Sequence, residues 1–262
     1  MSRFVIVIPT IRQERPRFAE GMERIKASFT LPTELHVLDG KDGKVPTLNR
    51  ALSSLLPNED DAIYVTMDDD LWPEPGWQDA VVRAFQADPQ LGVVCPWLGD
   101  SPEMAAYMGP DSLHPWTEVS GVRLRYLRPM RHIPGALLAF RSTCARQVGP
   151  QPETGLKYDI FEDAWRGRRA HKLGWKAAYV ESPPITMIAF EDDETYLAQK
   201  AADIQSGRAI GHPVRARDSR IRAGRCGPAR SAQLAPASSH CPPARPRQRL
   251  TLAARVGEQG RF

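Results

Sequence analysis

At 262 residues and 42% hydrophobic composition, with no apolar run of bilayer length, the chain is expected to form one α/β domain with a segment to spare, not a membrane-spanning protein. Of its 35 basic and 31 acidic residues, eleven Arg but only Asp218 and Glu258 lie after position 214, so residues 1–214 carry a net charge of −5 and the remainder +9. The overall basic balance therefore says little about the folded part, nucleic acid is not an expected partner, and four cysteines (Cys95, Cys144, Cys226, Cys241) without CxxC spacing argue against a disulfide framework or a zinc site.

No secretory signal is expected at the start, because Arg3-Phe4-Val5-Ile6-Val7-Ile8-Pro9 already reads as a buried strand ended by its proline. Phe18, Met22, Ile25 and Phe29 recur at helical spacing, and Glu34 to Asp39 reads as a second strand closed by Gly40-Lys41-Asp42-Gly43-Lys44. Thr47 is placed to cap a helix bearing Leu48, Ala51, Leu52 and Leu55. A third strand spans 62–67, a helix carries Trp77, Val81 and Phe85, and Leu91 to Cys95 is a fourth strand, giving the alternation of a doubly wound sheet. Residues 96–131 lose this rhythm, although Val122 to Leu127 alternates like a half-exposed strand. Further strands are expected at 135–140, 175–180 and 185–190, with helices to Val148, from about Ile160 to Leu173, and over 195–205. In the 160–173 helix, Phe161, Ala164, Trp165 and Leu173 suit burial, while Arg166, Arg168 and Arg169 suit solvent or an anion, and His171 suits the surface. The expected organisation is a domain over 1–212, in halves 1–95 and 96–212, and a disordered Arg/Pro/Ala-rich tail over 213–262.

The stretch with the most chemistry is Asp68-Asp69-Asp70, which closes the third strand before Leu71-Trp72-Pro73-Glu74-Pro75-Gly76. Open α/β sheets bind ligands at the carboxyl ends of their strands, so three like charges there point to a cation shared with a phosphate. Strand alternation would turn Asp68 and Asp70 one way and Asp69 the other. A solvated acidic turn ahead of the next helix is the plain alternative.

Ile8-Pro9-Thr10, Asp39, Asp68-Asp69-Asp70 and Glu162-Asp163 follow one another in this order, together with Leu48-Asn49-Arg50-Ala51-Leu52 and the span Gly135 to Arg141, Val148-Gly149 and Leu173-Gly174-Trp175. With these motifs, residues 3–190 resemble the GT-A glycosyltransferases, in particular the large inverting family 2. The resemblance implies a GT-A-like α/β fold, Rossmann-related, with a mostly parallel sheet flanked by helices. It implies transfer of a sugar from a nucleotide-sugar donor to the hydroxyl of a glycan, lipid-linked or other acceptor, with Mn2+ or Mg2+ as cofactor. Pro9, Thr10, Arg12 and Asp39 would line the nucleoside pocket, with Lys44 facing the diphosphate. Asp68 and Asp69 would contact the donor, and Asp70, with Asp68, would hold the metal. Asp163 would take the acceptor proton, with Glu162 orienting it or touching the acceptor.

Each assignment has a plainer reading beside it. Asp39 also suits a simple turn before Gly40, Lys41 and Lys44 a solvated basic loop, and Glu162-Asp163 a favourable pairing with a helix dipole. Relatives often add a metal-binding His from a later segment, and none lies here between His171 and His212. Trp116, beside His114-Pro115, is the best-placed ring to stack on an acceptor sugar. Two rival functions remain. A sugar nucleotidyltransferase would want a Gly-rich basic loop after the first strand, which Pro9 to Gln13 resembles poorly; a silent binding domain would use the basic tail for docking. The expected setting is cytoplasmic, with peripheral contact at the inner membrane face.

Overall fold

The computed structural model describes residues 3–56, 58, 62–99, 113–129, 131, 136–153 and 162–188, with positions 194, 198, 201, 202 and 205 beyond them. The expected strand end at 188–190, the helix over 195–205 and the tail therefore fall wholly or mostly outside the described residues.

The first strand, β1 (Phe4–Thr10), pairs in parallel with β2 (Thr33–Asp39) on one side and β3 (Ile63–Met67) on the other. Its side chains divide by alternation: Phe4, Ile6 and Ile8 enter one core layer, Val5 and Val7 the other. A strand apolar on both faces must be covered on both, and it is. Helices α1 (Pro16–Ala27) and α3 (Trp77–Ala87) bring Phe18, Met22, Ile25, Trp77 and Phe85 to the first layer. Helices α2 (Lys44–Leu55), α4 (Ser142–Val148) and α5 (Glu162–Lys172) bring Leu48, Ala51, Cys144, Val148 and Ala170 to the second.

The remaining strands are β4 (Leu71–Pro73), β5 (Leu91–Pro96), β6 (Thr117–Val119), β7 (Val122–Tyr126), β8 (Leu137–Arg141), β9 (Lys176–Val180) and β10 (Ile185–Met187). The main sheet has the order β2-β1-β3-β8-β5-β9-β7-β6. Only β8 and β7 run against the other six strands, so the sheet is mostly parallel, as expected. The chain goes from β1 outward to β2, then back across β1 to β3, with α1 on one face and α2 on the other. The carboxyl ends of β1 and β3 thus flank a topological switch point, where such sheets open a crevice.

Several expectations are corrected. Pro9 does not end β1, which runs on to Thr10. Beyond Val7 the strand has β2 alone as partner, so a missing N–H on the other side costs no ladder bond. Thr47 does not cap α2: the helix starts at Lys44 after Gly43 (φ 107°), and Thr47 Oγ1 donates back to the Gly43 carbonyl at 2.8 Å. The acids are followed at once by a strand, β4, paired antiparallel with β10 in a separate ribbon, with an added bond from Ile188 N to the Asp70 carbonyl at 2.8 Å. Gly92 marks a bulge in β5 that resets the alternation, sending Leu91 and Val93 to opposite layers.

In α5 Ala164 is buried as expected, beside Asp163, Arg166, Gly167 and Ala170, whereas Trp165 is only partly covered and Leu173 is 38% exposed. Apolarity misread that face, because its inward positions are polar or small. Phe161 lies outside the described residues.

Candidate functional site

The end of β3 is bonded into its surroundings on three sides. Asp68 N donates to the Ala136 carbonyl at 2.7 Å, just ahead of β8, while Gly40 N donates to the Thr10 carbonyl at 2.8 Å across the ends of β1 and β2. The three acids leave the strand as a turn, so simple alternation does not apply and each finds a different neighbour.

Asp69 is buried and points at the end of β1. Its Oδ1 accepts from Arg12 Nη1 at 2.9 Å and its Oδ2 from Thr10 Oγ1 at 2.5 Å, and Thr10 Oγ1 in turn accepts from Arg12 N at 2.9 Å. Thr10, Arg12 and Asp69 therefore meet, but as partners of one another: the guanidinium, 6% exposed, is committed to a carboxylate. A buried pair of this kind is costly to break, because either half left alone is an uncompensated charge. Asp68 turns to α2, where its Oδ1 lies 2.7 Å from Lys44 Nζ.

Asp70 has the harshest surroundings. Its Oδ1 is fully buried with no hydrogen-bond partner among the described residues. Burial, then the nearby charges of Asp68 and Asp69, push its pKa up to about 7, against the opposing pull of Lys44 and Arg12. A buried carboxylate oxygen that no protein group hydrogen-bonds is left uncompensated, and a proton or a cation would satisfy it.

Asp39 closes β2 but stands apart. It is exposed, accepts from Lys41 N at 3.0 Å and pairs with Lys41 Nζ at 3.1 Å. The Lys41 backbone bond, then its side chain, hold the Asp39 carboxyl below the ordinary range. In this arrangement it has the geometry of the simple turn. Pro9 is a partly covered β1 residue opposite Leu38.

The acids of α5 come from the other half of the chain. The turn at Leu173–Trp175 reverses the chain so that α5 runs against β9, which is parallel to β5 and oriented like β3. The helix N-terminus, Glu162 and Asp163, is thereby brought to the side of the sheet where β1 and β3 end. Asp163 is 4% exposed, and its Oδ1 accepts from Ala164 N at 2.5 Å. One turn on, Arg166 is also buried and lines a cavity of about 10 Å³ with Leu52, Tyr64, Phe140, Ala145 and Val148. Burial pushes the Tyr64 hydroxyl up to about 12, Arg166 pulling the other way, and that hydroxyl has no partner within the protein.

Arg166 and Tyr64 were not singled out from the sequence as site residues. The usable signal was the i, i+3 spacing of Arg166 from Asp163. His171 is half-buried, not a surface residue: burial lowers its pKa, against a bond with the Trp175 backbone, and its Nε2 is unpartnered.

The aromatic candidates are engaged elsewhere. Trp97 packs edge-on against Trp116 at 5.5 Å and Tyr179 at 4.9 Å, while Arg123 lies 5.3 Å and Arg125 6.0 Å from the Trp116 ring centre. The Trp116 ring is thus already engaged by a neighbouring ring and by guanidinium groups.

No protein-family model matches the chain, and no curated protein sequence matches it. Solved structures that match include a mannosyltransferase, PcManGT, from Pyrobaculum calidifontis in complex with GDP-Man and Mn2+, at 18% identity and a TM-score of 0.49, covering 77% of this chain and 61% of that one. A Drosophila beta-1,4-galactosyltransferase 7, in complex with manganese, UDP-Gal and xylobiose, matches at 16% identity and a TM-score of 0.43, covering 74% of each chain. GalNAc-T7 with UDP, GalNAc and Mn2+ matches at 9% identity and a TM-score of 0.42, covering 72% of this chain and 44% of that one. The chain therefore spans less than two thirds of the length of the first and third. At TM-scores below 0.5 these likenesses assign no function, and the α/β class follows from strand order and core layering instead.

Proposed function

We propose that the chain is a glycosyltransferase that moves a sugar from a nucleotide-sugar donor to a hydroxyl acceptor, with a divalent cation, Mn2+ or Mg2+, at the acidic turn. The observation that carries this reading is Asp70: a carboxylate at the carboxyl end of a switch-point strand, with one buried oxygen left without a donor. Hard oxygen ligands of that kind fit a hard divalent cation. Asp70 and Asp68 would hold it. Among the described residues no three His, Cys, Asp or Glu side chains form a metal cluster, so ligands from the donor phosphates would be needed to complete its shell. What such a cation supplies when bound is Lewis-acid neutralisation of the charge on the leaving diphosphate.

The protein's own groups do the rest in this reading. Arg12 and Thr10 fix Asp69 and so hold the turn that presents Asp68 and Asp70. Asp163, buried at the start of α5, takes the proton of the acceptor hydroxyl as that oxygen attacks the anomeric carbon. A single base opposite the leaving group gives inversion. Glu162 precedes it in the same first turn, as the residue that would orient it or touch the acceptor. The acceptor class is a glycan or lipid-linked hydroxyl. No helix among the described residues is long and apolar enough to cross a membrane.

The test pairs two variants in Mn2+ titrations, nucleoside diphosphate titrations and single-turnover assays across a sugar-nucleotide panel. Asp70→Asn should weaken Mn2+ and nucleoside diphosphate binding together. Asp163→Asn should leave both nearly unchanged while slowing turnover about 100- to 10,000-fold. Undiminished turnover in Asp163→Asn, or wild-type donor binding indifferent to chelator, would overturn the assignments.

A further inference from the structure

We propose that Lys44 is a built-in counter-ion for the cation site: it neutralises Asp68 in the ligand-free protein and is displaced towards the donor phosphates when a divalent cation takes that carboxylate. This rests on the metal reading of Asp68 and Asp70 above. The observations are geometric. The Lys44 ammonium lies 2.7 Å from Asp68 Oδ1, with the two side chains 26% and 33% exposed, so the pair sits at the rim and not within the core. An ammonium is thus held against one of the two carboxylates that would bind the ion.

Two features make this lysine able to move while its backbone stays. Lys44 opens α2, and the preceding loop is pinned: Gly40 N bonds to the Thr10 carbonyl at 2.8 Å, Gly43 N to the Gly40 carbonyl at 2.8 Å, and Thr47 Oγ1 to the Gly43 carbonyl at 2.8 Å. The side chain beyond that anchor is a flexible stem with a compact ammonium at its end, which can swing without any change in the helix. Arg12 is the contrasting case, its fork buried and bonded to Asp69. Among the described residues the turn therefore sets a buried cation, Arg12, against one at its rim, Lys44.

Electrostatics gives the exchange its direction. A doubly charged ion on Asp68 repels an ammonium bonded to the same carboxylate, and the lysine has three donors and no acceptor with which to satisfy itself. The diphosphate that completes the ion's shell is an anion able to receive it. Lys44 should therefore oppose the ion when it comes alone and favour it when it comes with a nucleoside diphosphate.

The experiment measures Mn2+ binding alone, by the spin-resonance signal of free Mn2+, and then UDP and GDP binding at saturating Mn2+, in the wild type, Lys44→Met, Lys44→Gln and Lys44→Arg. Circular dichroism melting confirms that each variant is folded. Lys44→Met and Lys44→Gln should bind Mn2+ alone roughly three- to tenfold more tightly, the scale of losing one partly exposed charge pair. The same variants should bind the diphosphates about tenfold more weakly. Lys44→Arg, which keeps the charge, should stay within about twofold of the wild type for Mn2+ alone. Mn2+ binding that depends on Asp70 but is unchanged or weakened in Lys44→Met and Lys44→Gln would overturn the exchange and leave the metal reading standing. A wild type that binds no Mn2+ would overturn both.

Discussion

Three adjacent aspartates have been given three environments by their neighbours: a buried guanidinium for Asp69, a partly exposed ammonium for Asp68, and, among the described residues, no donor to Oδ1 for Asp70. The last makes a pH-dependent prediction for the metal-free protein. The Asp70 pKa is pushed up to about 7 in the fold, against an ordinary 3.8. Between those values the folded state holds a proton that the unfolded chain has released, so stability falls as pH rises from about 4 to 7 and then levels off. Asp70→Asn cannot ionise and escapes that penalty. In chelator it should be more stable than the wild type at pH 8, by roughly 1–3 kcal/mol, with most of the difference gone at pH 4.5. Urea unfolding at the two pH values checks this; an asparagine variant less stable than the wild type at pH 8 would contradict it. Adding Mn2+ should then stabilise the wild type and not the variant.

At the scale of elements, β5 depends on a residue that has no side chain. A Cβ built on Gly92 would fall 2.6 Å from Cys144 Sγ and 2.8 Å from Trp175 Cβ, so α4 and the turn before β9 approach the strand where only glycine fits. The Trp175 backbone is itself bonded to the Ala170 carbonyl at 3.0 Å and cannot simply withdraw. Gly92→Ala should therefore cost about 1–3 kcal/mol by overpacking, read as a lower urea midpoint with an unchanged slope. Neutral stability would mean that α4 yields more easily than its packing implies. The start of β5 is tied in from another direction by Asp88, which accepts from Tyr126 Oη at 2.8 Å, Gln90 N at 2.9 Å and Lys176 Nζ at 3.1 Å. Burial raises that carboxyl, but the hydrogen bonds outweigh it and hold its pKa below the ordinary value. At the opposite end of the sheet from the acidic turn, this carboxylate is thus satisfied by its own neighbours.

For the whole molecule, the two halves expected at 1–95 and 96–212 share one sheet, because β8 inserts between β3 and β5. That strand joins the half carrying Asp163 to the half carrying Asp70 through a continuous ladder, so their relative placement is a property of the core. The Arg-rich segment after 214 has no apolar periodicity with which to add to that core. Deleting residues 216–262 should leave the melting temperature within about 1 °C, as expected of a segment whose sequence offers no apolar face to bury. A cooperative loss of structure on deletion would show that the segment docks.

Much of this was present in the order of residues alone. Phe4 to Ile8 and Ile63 to Met67 are apolar on both faces, which only a strand covered by helices on both sides satisfies, and Asp68-Asp69-Asp70 had to emerge where such a strand ends. Local pattern is enough for that, because alternation and helical spacing are properties of neighbours along the chain. The partners of the acids were not legible. That Asp69 pairs with Arg12 and Asp68 with Lys44, while Asp70 buries an oxygen without a donor among the described residues, depends on side chains 24 to 57 positions apart meeting at a switch point. Arg166, read as a solvent or anion residue, is buried because α5 packs on α4, β5 and β9 and turns it to a cavity shared with Leu52 and Tyr64, and Pro9 stays in its strand because β3 has already fallen away beside it. Charge and apolarity mark which residues can do chemistry, but burial and the identity of the opposing group decide what each carboxylate can bind, and both exist only once the chain has folded.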